Sequence, residues 1–177
     1  MAEHEQARAN IEIKARCADL ERTLRRAQSL ATERVGLDHQ LDTYFCTQAG
    51  RLKLRESSLS GGQLVPYLRE DRGGPRRSDY RVIPVADASG TKRLLTAILG
   101  VECVVDKQRE ILLHRNVRIH LDQVVGLGTF VELEAVFDGS PAAEAEQYRL
   151  VEHLMTELEI RAEDLVPVSY QNLLRER

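Results

Sequence analysis

Between positions 50 and 56 the chain reads G-R-L-K-L-R-E, with three cations on alternate positions. A strand points alternate side chains to opposite faces, so Arg51, Lys53 and Arg55 would share one face and Leu52 and Leu54 the other. Further short runs repeat the pattern with different signs. Glu12 and Lys14 share a face of N-I-E-I-K-A-R, Arg118, His120 and Asp122 a face of V-R-I-H-L-D, and Glu132 and Glu134 a face of V-E-L-E-A. Tyr67 and Arg69 share another, and Lys107 and Arg109 extend a basic face. Charged rows sorted by sign constrain the fold severely. If the strands close into a barrel, the rows either point outward over an apolar interior or point inward and line a polar channel. For a single row the solvated outer face is the ordinary expectation. For the set, cations spaced two apart only repel one another on a solvated face. A channel that binds a polyanion with a divalent metal gives each row a use, with carboxylates on the metal and Lys and Arg on the remaining anionic oxygens. Each charge-assisted contact there contributes ~1.5–3 kcal/mol.

The rest of the chain supplies strands enough for such a barrel. Alternation predicts strands over 10–16, 40–45, 51–56, 63–69, 79–85, 102–107, 110–115, 117–124 and 129–137. Helical spacing predicts a helix capped by Asp19 and ending near Gly36, another over 88–99 carrying Leu94, Leu95, Ile98 and Leu99, a long one opened by Ser140-Pro141, and a short one over 169–175. The stripe from Tyr148 to Leu158 reads as core or a dimer face. With 177 residues, 42% of them apolar, and no repeat or linker, residues 1–177 read as a single α+β domain dominated by antiparallel strands. No apolar run approaches the ~20 residues of a membrane span, and 25 Lys and Arg against 28 Asp and Glu argue against a nucleic-acid binder. A cytoplasmic protein is expected, with Cys17, Cys46 and Cys103 as small core residues rather than a disulfide or zinc framework.

Taken in order, N-I-E-I-K-A-R, Q-L-D-T-Y-F, G-R-L-K-L-R-E, P-Y-L-R, S-D-Y-R, V-D-K-Q-R, V-R-I-H-L-D, G-T-F-V-E-L-E and S-Y-Q-N-L-L resemble the CYTH family of triphosphate tunnel metalloenzymes along almost the whole chain. The style of the motifs is most like the class IV adenylyl cyclase subgroup. The resemblance implies an eight-stranded antiparallel β tunnel with flanking helices, holding a triphosphate along its axis with Mg²⁺ or Mn²⁺. It places Glu12, Asp122, Glu132 and Glu134 near the metal and Lys14, Lys53, Arg55, Arg69, Lys107, Arg109 and Arg118 toward phosphate, with Lys14, Arg55 and Arg118 as catalytic cations. Alternation and proximity add Arg51 and Arg81 to the substrate-binding set. One departure stands out. The family's opening E-x-E-x-K is N-x-E-x-K here, so Asn10 removes a carboxylate from the metal face. Three carboxylates brought together without a cation are expected to have raised pKa values. Three functions follow: an ATP cyclase making cyclic AMP and pyrophosphate, a hydrolase of tripolyphosphate, thiamine triphosphate or a nucleotide, and a non-catalytic polyphosphate or nucleotide binder. The partner in each is a small triphosphate-containing molecule.

Overall fold

A computed structural model describes residues 8–69 and 76–176. In chain order its elements are β1 (Arg8–Arg16), α1 (Leu20–Leu30), β2 (Glu33–Phe45), β3 (Arg51–Ser57), β4 (Gly61–Arg69), β5 (Arg76–Tyr80), β6 (Ile83–Val85), α2 (Ala88–Leu99), β7 (Val101–His114), β8 (Val117–Val124), β9 (Gly128–Phe137), α3 (Pro141–Glu157) and α4 (Tyr170–Arg175). All strand pairings are antiparallel. They run β3-β2-β7-β8-β9-β1-β5-β4, and a further β3–β4 pairing joins the two ends. β5 and β6 lie along the same edge of β4, at Tyr67 to Arg69 and Gly62 to Leu64 respectively, so together they act as one interrupted strand. The result is the expected α+β architecture, an eight-stranded curled antiparallel sheet with flanking helices.

The sheet is apolar on the outside. Ile11, Ile13, Ile119 and Leu133 are essentially inaccessible and pack against Ala27 of α1, Val151 and Leu154 of α3, and Leu158 just past its end. Each such aliphatic side chain is worth ~1.5–3 kcal/mol on burial, so this outer layer, rather than the interior, holds the curved sheet together. The Tyr148–Leu158 stripe is thereby core. A smaller cluster forms where Tyr44, Val105, Val124 and Phe130 meet Val166 and Tyr170 of the C-terminal segment. The helices start at local signals in the sequence. Asp19 accepts a hydrogen bond from the Arg22 amide, Asp87 from the Gly90 amide and Ser169 from the Asn172 amide, each relieving an orphan N–H of a first turn.

Several boundaries differ from the sequence-based expectation. The first helix stops at Leu30, and Gly36, at φ 124°, sits at a β-bulge between Arg34 and its neighbour in the β2–β7 pairing. A left-handed backbone there is open to glycine at no steric cost, so the residue marks a kink in a long strand and not a helix end. Segments 102–107 and 110–115 are one continuous strand, β7, whereas 79–85 is broken at Arg81 and Val82. In α2, Leu95 and Leu99 are half-buried but Leu94 and Ile98 face solvent. Cys17 is buried and Cys103 half-buried, while Cys46 is exposed. No helix among the described residues is long and apolar enough to cross a membrane.

Candidate functional site

The charged rows point into the tunnel. Asn10, Glu12 and Lys14 of β1, Lys53 and Arg55 of β3, Lys107 and Arg109 of β7, Arg118 of β8, and Glu132 and Glu134 of β9 line one cavity of about 450 Å³. Register explains how residues so distant in sequence meet. Glu132 stands between Lys14 on one neighbouring strand and His120 on the other, and Glu134 likewise stands between Glu12 and Arg118. Asp42 pairs directly with Arg55 across β2–β3, and Arg109 with Asp122 across β7–β8.

Two buried carboxylates organise the cations. Asp42, fully buried, accepts two hydrogen bonds from Arg55 at 2.7 and 2.8 Å, one from Lys53 at 2.9 Å and one from Lys107 at 3.0 Å. Burial opposes its charge, but the Arg55, Lys107 and Lys53 cations outweigh that and hold its carboxyl well below the usual range. Three cations on one carboxylate leave positive charge in surplus. That surplus shows at Lys53, where burial, and then the Arg55 charge, lower the ammonium to about 7 against the pull of Asp42. Lys107 is lowered for the same reasons, burial first and then Arg109 and Arg55, with Asp42 opposing. The second organiser is Asp122, also fully buried, which accepts hydrogen bonds from Arg109 at 2.6 and 2.5 Å and from the Tyr170 hydroxyl at 2.8 Å. Arg109 reaches on to Glu132 at 2.5 Å. Lys14 lies 3.3 Å from Glu132 and 3.8 Å above the centre of the Tyr170 ring, a cation–π contact worth ~0.5–2 kcal/mol.

At the acidic end, atoms of His120, Glu132 and Glu134 all fall within 4.8 Å of one another. Their carboxyls run against the expectation of raised pKa. Burial pushes Glu132 up, yet Arg109 and Lys14 bring it well below its ordinary value. Burial likewise raises Glu134, and His120, Arg109 and Arg118 outweigh it. Repulsion between the carboxylates is real but small beside the cations interleaved with them. The donor set fits a divalent cation. The buried Nδ1 of His120 and Oδ1 of Asn10 make no hydrogen bond among the described residues, so both are available as neutral ligands.

The expected site residues divide as follows. Lys14, Lys53, Arg55, Lys107, Arg109 and Arg118 line the cavity together with Glu12, Glu132 and Glu134. Arg51, half-buried, lies with its guanidinium 5.9 Å from the centre of the Tyr67 ring, itself a cavity residue. Asp122 accepts hydrogen bonds from Arg109 and Tyr170 and stands outside the His120–Glu132–Glu134 group. Arg81 is exposed in the break between β5 and β6, where alternation no longer carries it inward. The Arg69 side chain lies outside the described residues. Asp42 and Tyr170 were not among the expected site residues. Q-L-D-T-Y-F carried a signal for Asp42, since an aspartate sits there at the inward spacing that Tyr44 shares.

The chain resembles solved structures at low identity. A protein of Pyrococcus horikoshii shares 24% identity and superposes with a TM-score of 0.81, covering 93% of this chain and 98% of the other. A candidate adenylate cyclase from Vibrio parahaemolyticus shares 21% over 96% and 98% of the two chains, with a TM-score of 0.75. A candidate adenylyl cyclase from Hippeastrum, described with a dominant triphosphatase activity, shares 15% over 96% and 95%, with a TM-score of 0.58. Likenesses at these identities establish a common fold. No curated protein sequence matches the chain. The CYTH domain matches residues 8–170, from the first described strand to the start of α4, and with the inward charged rows in place the chain belongs to the CYTH family, which acts on triphosphate substrates.

Proposed function

We propose that this protein is a metal-dependent enzyme acting on a nucleoside triphosphate in its tunnel, converting ATP to cyclic AMP and pyrophosphate in the manner of a class IV adenylyl cyclase. The observation that carries the reading is the two-part lining of the tunnel cavity. Lys14, Lys53, Arg55, Lys107, Arg109 and Arg118 form a cationic side suited to a triphosphate, while Tyr44, Val65, Tyr67, Tyr80, Val82 and Pro84 add aromatic and apolar surface suited to a planar organic group. An inorganic polyphosphate has no use for that second surface.

In this reading Lys53, Lys107 and Arg109, with Arg51 at the Tyr67 side, hold the phosphates. The tethering of Lys53 and Lys107 to Asp42 and of Arg109 to Asp122 fixes these three before substrate arrives, so little of the binding energy is lost to ordering long side chains. Lys14, Arg55 and Arg118 neutralise charge as the ribose 3′-hydroxyl releases its proton to water, its oxygen forms a bond to the α-phosphorus, and the bond to the departing pyrophosphate breaks. Glu132 and Glu134, with Glu12 on the adjacent strand, are the carboxylates that hold a divalent ion. When bound, Mg²⁺ or Mn²⁺ supplies further positive charge to the phosphate oxygens.

The test is to incubate the protein with Mg²⁺ or Mn²⁺ and, separately, ATP, tripolyphosphate and thiamine triphosphate, and then resolve the products. Cyclic AMP with pyrophosphate is expected. Orthophosphate would transfer the same site to a hydrolase, and saturable binding without product would make it a non-catalytic binder.

A further inference from the structure

We propose that His120 is a metal ligand, so that the ion is held by an imidazole together with Glu132 and Glu134, and that this donor set favours Mn²⁺ and Co²⁺ over Mg²⁺. The proposal rests on the metal-dependent reading of the tunnel and specifies which ion that tunnel prefers.

Two observations point to it. First, His120 lies directly opposite Glu132 in the β8–β9 register, and its Nδ1 stands 3.9 Å from a Glu132 oxygen and 3.8 Å from a Glu134 oxygen. Those separations are too long for hydrogen bonds. They suit two donors of one ion instead, because ligand bonds of roughly 2.0–2.2 Å at a wide angle place their donor atoms nearly 4 Å apart. Second, the side chain is 95% buried and the Nδ1 has no hydrogen-bond partner among the described residues. A buried nitrogen aimed at two carboxylates and bonded to neither is costly unless something stands between them.

The choice of ion follows from the donors. The hard cation Mg²⁺ is held best by oxygen ligands, and this site has one fewer carboxylate because position 10 is Asn. Glu132 is also shared with Arg109 and Lys14, which weakens its attraction for a small dication. An imidazole raises affinity along the first-row series and contributes little toward Mg²⁺. The lost carboxylate and the imidazole thus act in the same direction.

The experiment is pulsed electron paramagnetic resonance of Mn²⁺ added to the wild-type protein, with calorimetric titrations of Mg²⁺, Mn²⁺ and Co²⁺ alongside. We expect modulation from a directly bound ¹⁴N, and tighter binding of Mn²⁺ and Co²⁺ than of Mg²⁺. In His120→Gln the nitrogen signal should vanish, with Co²⁺ affinity falling by at least the ~10–100-fold that loss of a mere outer-shell partner costs. Mn²⁺ that binds through Glu134 without nitrogen modulation would overturn the assignment of His120 and leave the tunnel's metal dependence intact. Absence of any divalent binding, with or without tripolyphosphate present, would overturn both. The wild-type spectrum decides the point even if His120→Gln fails to fold.

Discussion

Asp42→Asn removes the charge that three buried cations share while keeping the shape of the side chain. Arg55, Lys53 and Lys107 all donate to Asp42 at 2.7–3.0 Å, and its own exposure is nil. Breaking a buried ion pair by deleting one partner costs ~3–5 kcal/mol, because the remaining charge stays buried and uncompensated. Part of the loss is recovered when Lys53, already near 7, gives up its proton. The arginine cannot do the same. For a protein of this size ~3–5 kcal/mol lowers the melting temperature by about 6–20 °C. The assay is thermal unfolding at pH 6, where Lys53 is still charged in the wild type, with and without tripolyphosphate. Because the anion supplies the negative charge that Asn lacks, tripolyphosphate should raise the melting temperature of Asp42→Asn by more than it raises that of the wild type. A loss below about 1 kcal/mol would mean that the three cations do not depend on Asp42. A smaller ligand-induced rise in the variant would mean that tripolyphosphate does not meet those cations.

Lys53 gives a pH test of the same cluster. Its folded value is about 7 against 10.5 for a free lysine, so between those values the unfolded chain holds more protons and stability rises with pH; the cost of burying its charge is felt in full only below about 7. Phosphate favours the ammonium, so tripolyphosphate binding at pH 8 should take up a proton, seen as a binding heat that changes with the ionisation enthalpy of the buffer; a buffer-independent heat would contradict this. Arg55→Ala should weaken tripolyphosphate about 10–150-fold, the equivalent of ~1.5–3 kcal/mol, while Arg93→Ala, on the exposed side of α2, should leave affinity unchanged. Asn10→Glu restores an inward carboxylate at a buried position of the cavity and should tighten Mn²⁺ and Mg²⁺ binding in calorimetry; unchanged affinity would place residue 10 away from the ion.

Alternation made most of the tunnel legible. The rows Glu12–Lys14, Arg51–Lys53–Arg55, Lys107–Arg109 and Glu132–Glu134 were each visible as charges two apart, and such a spacing keeps its face whatever the register. What alternation could not decide was which way the rows face, since a strand pattern is the same on either side of a sheet. The answer lies in Ile11, Ile13, Ile119 and Leu133, which have helices α1 and α3 to bury against. Pairings across strands were equally hidden. Asp42 and Asp122 look like any acidic residue in a strand, and only the β2–β3 and β7–β8 registers place them against Arg55 and Arg109. The same registers set carboxylates between cations, so Glu132 and Glu134 are lowered and not raised. The early start of β2 was obscured because its first residues, Glu33 to Gly36, carry no alternation and bulge at the glycine. Arg81 was misplaced for the complementary reason, that alternation was extended across a break.

A crystal structure of the protein with tripolyphosphate tests the central claim most directly. Phosphate oxygens are expected inside the tunnel, within hydrogen-bonding distance of Lys53, Arg55, Lys107 and Arg109, with Asp42 and Asp122 still bound to their cations. Phosphate found only on the outer surface, with the tunnel cations still paired solely to Asp42, Asp122 and Glu132, would contradict the account.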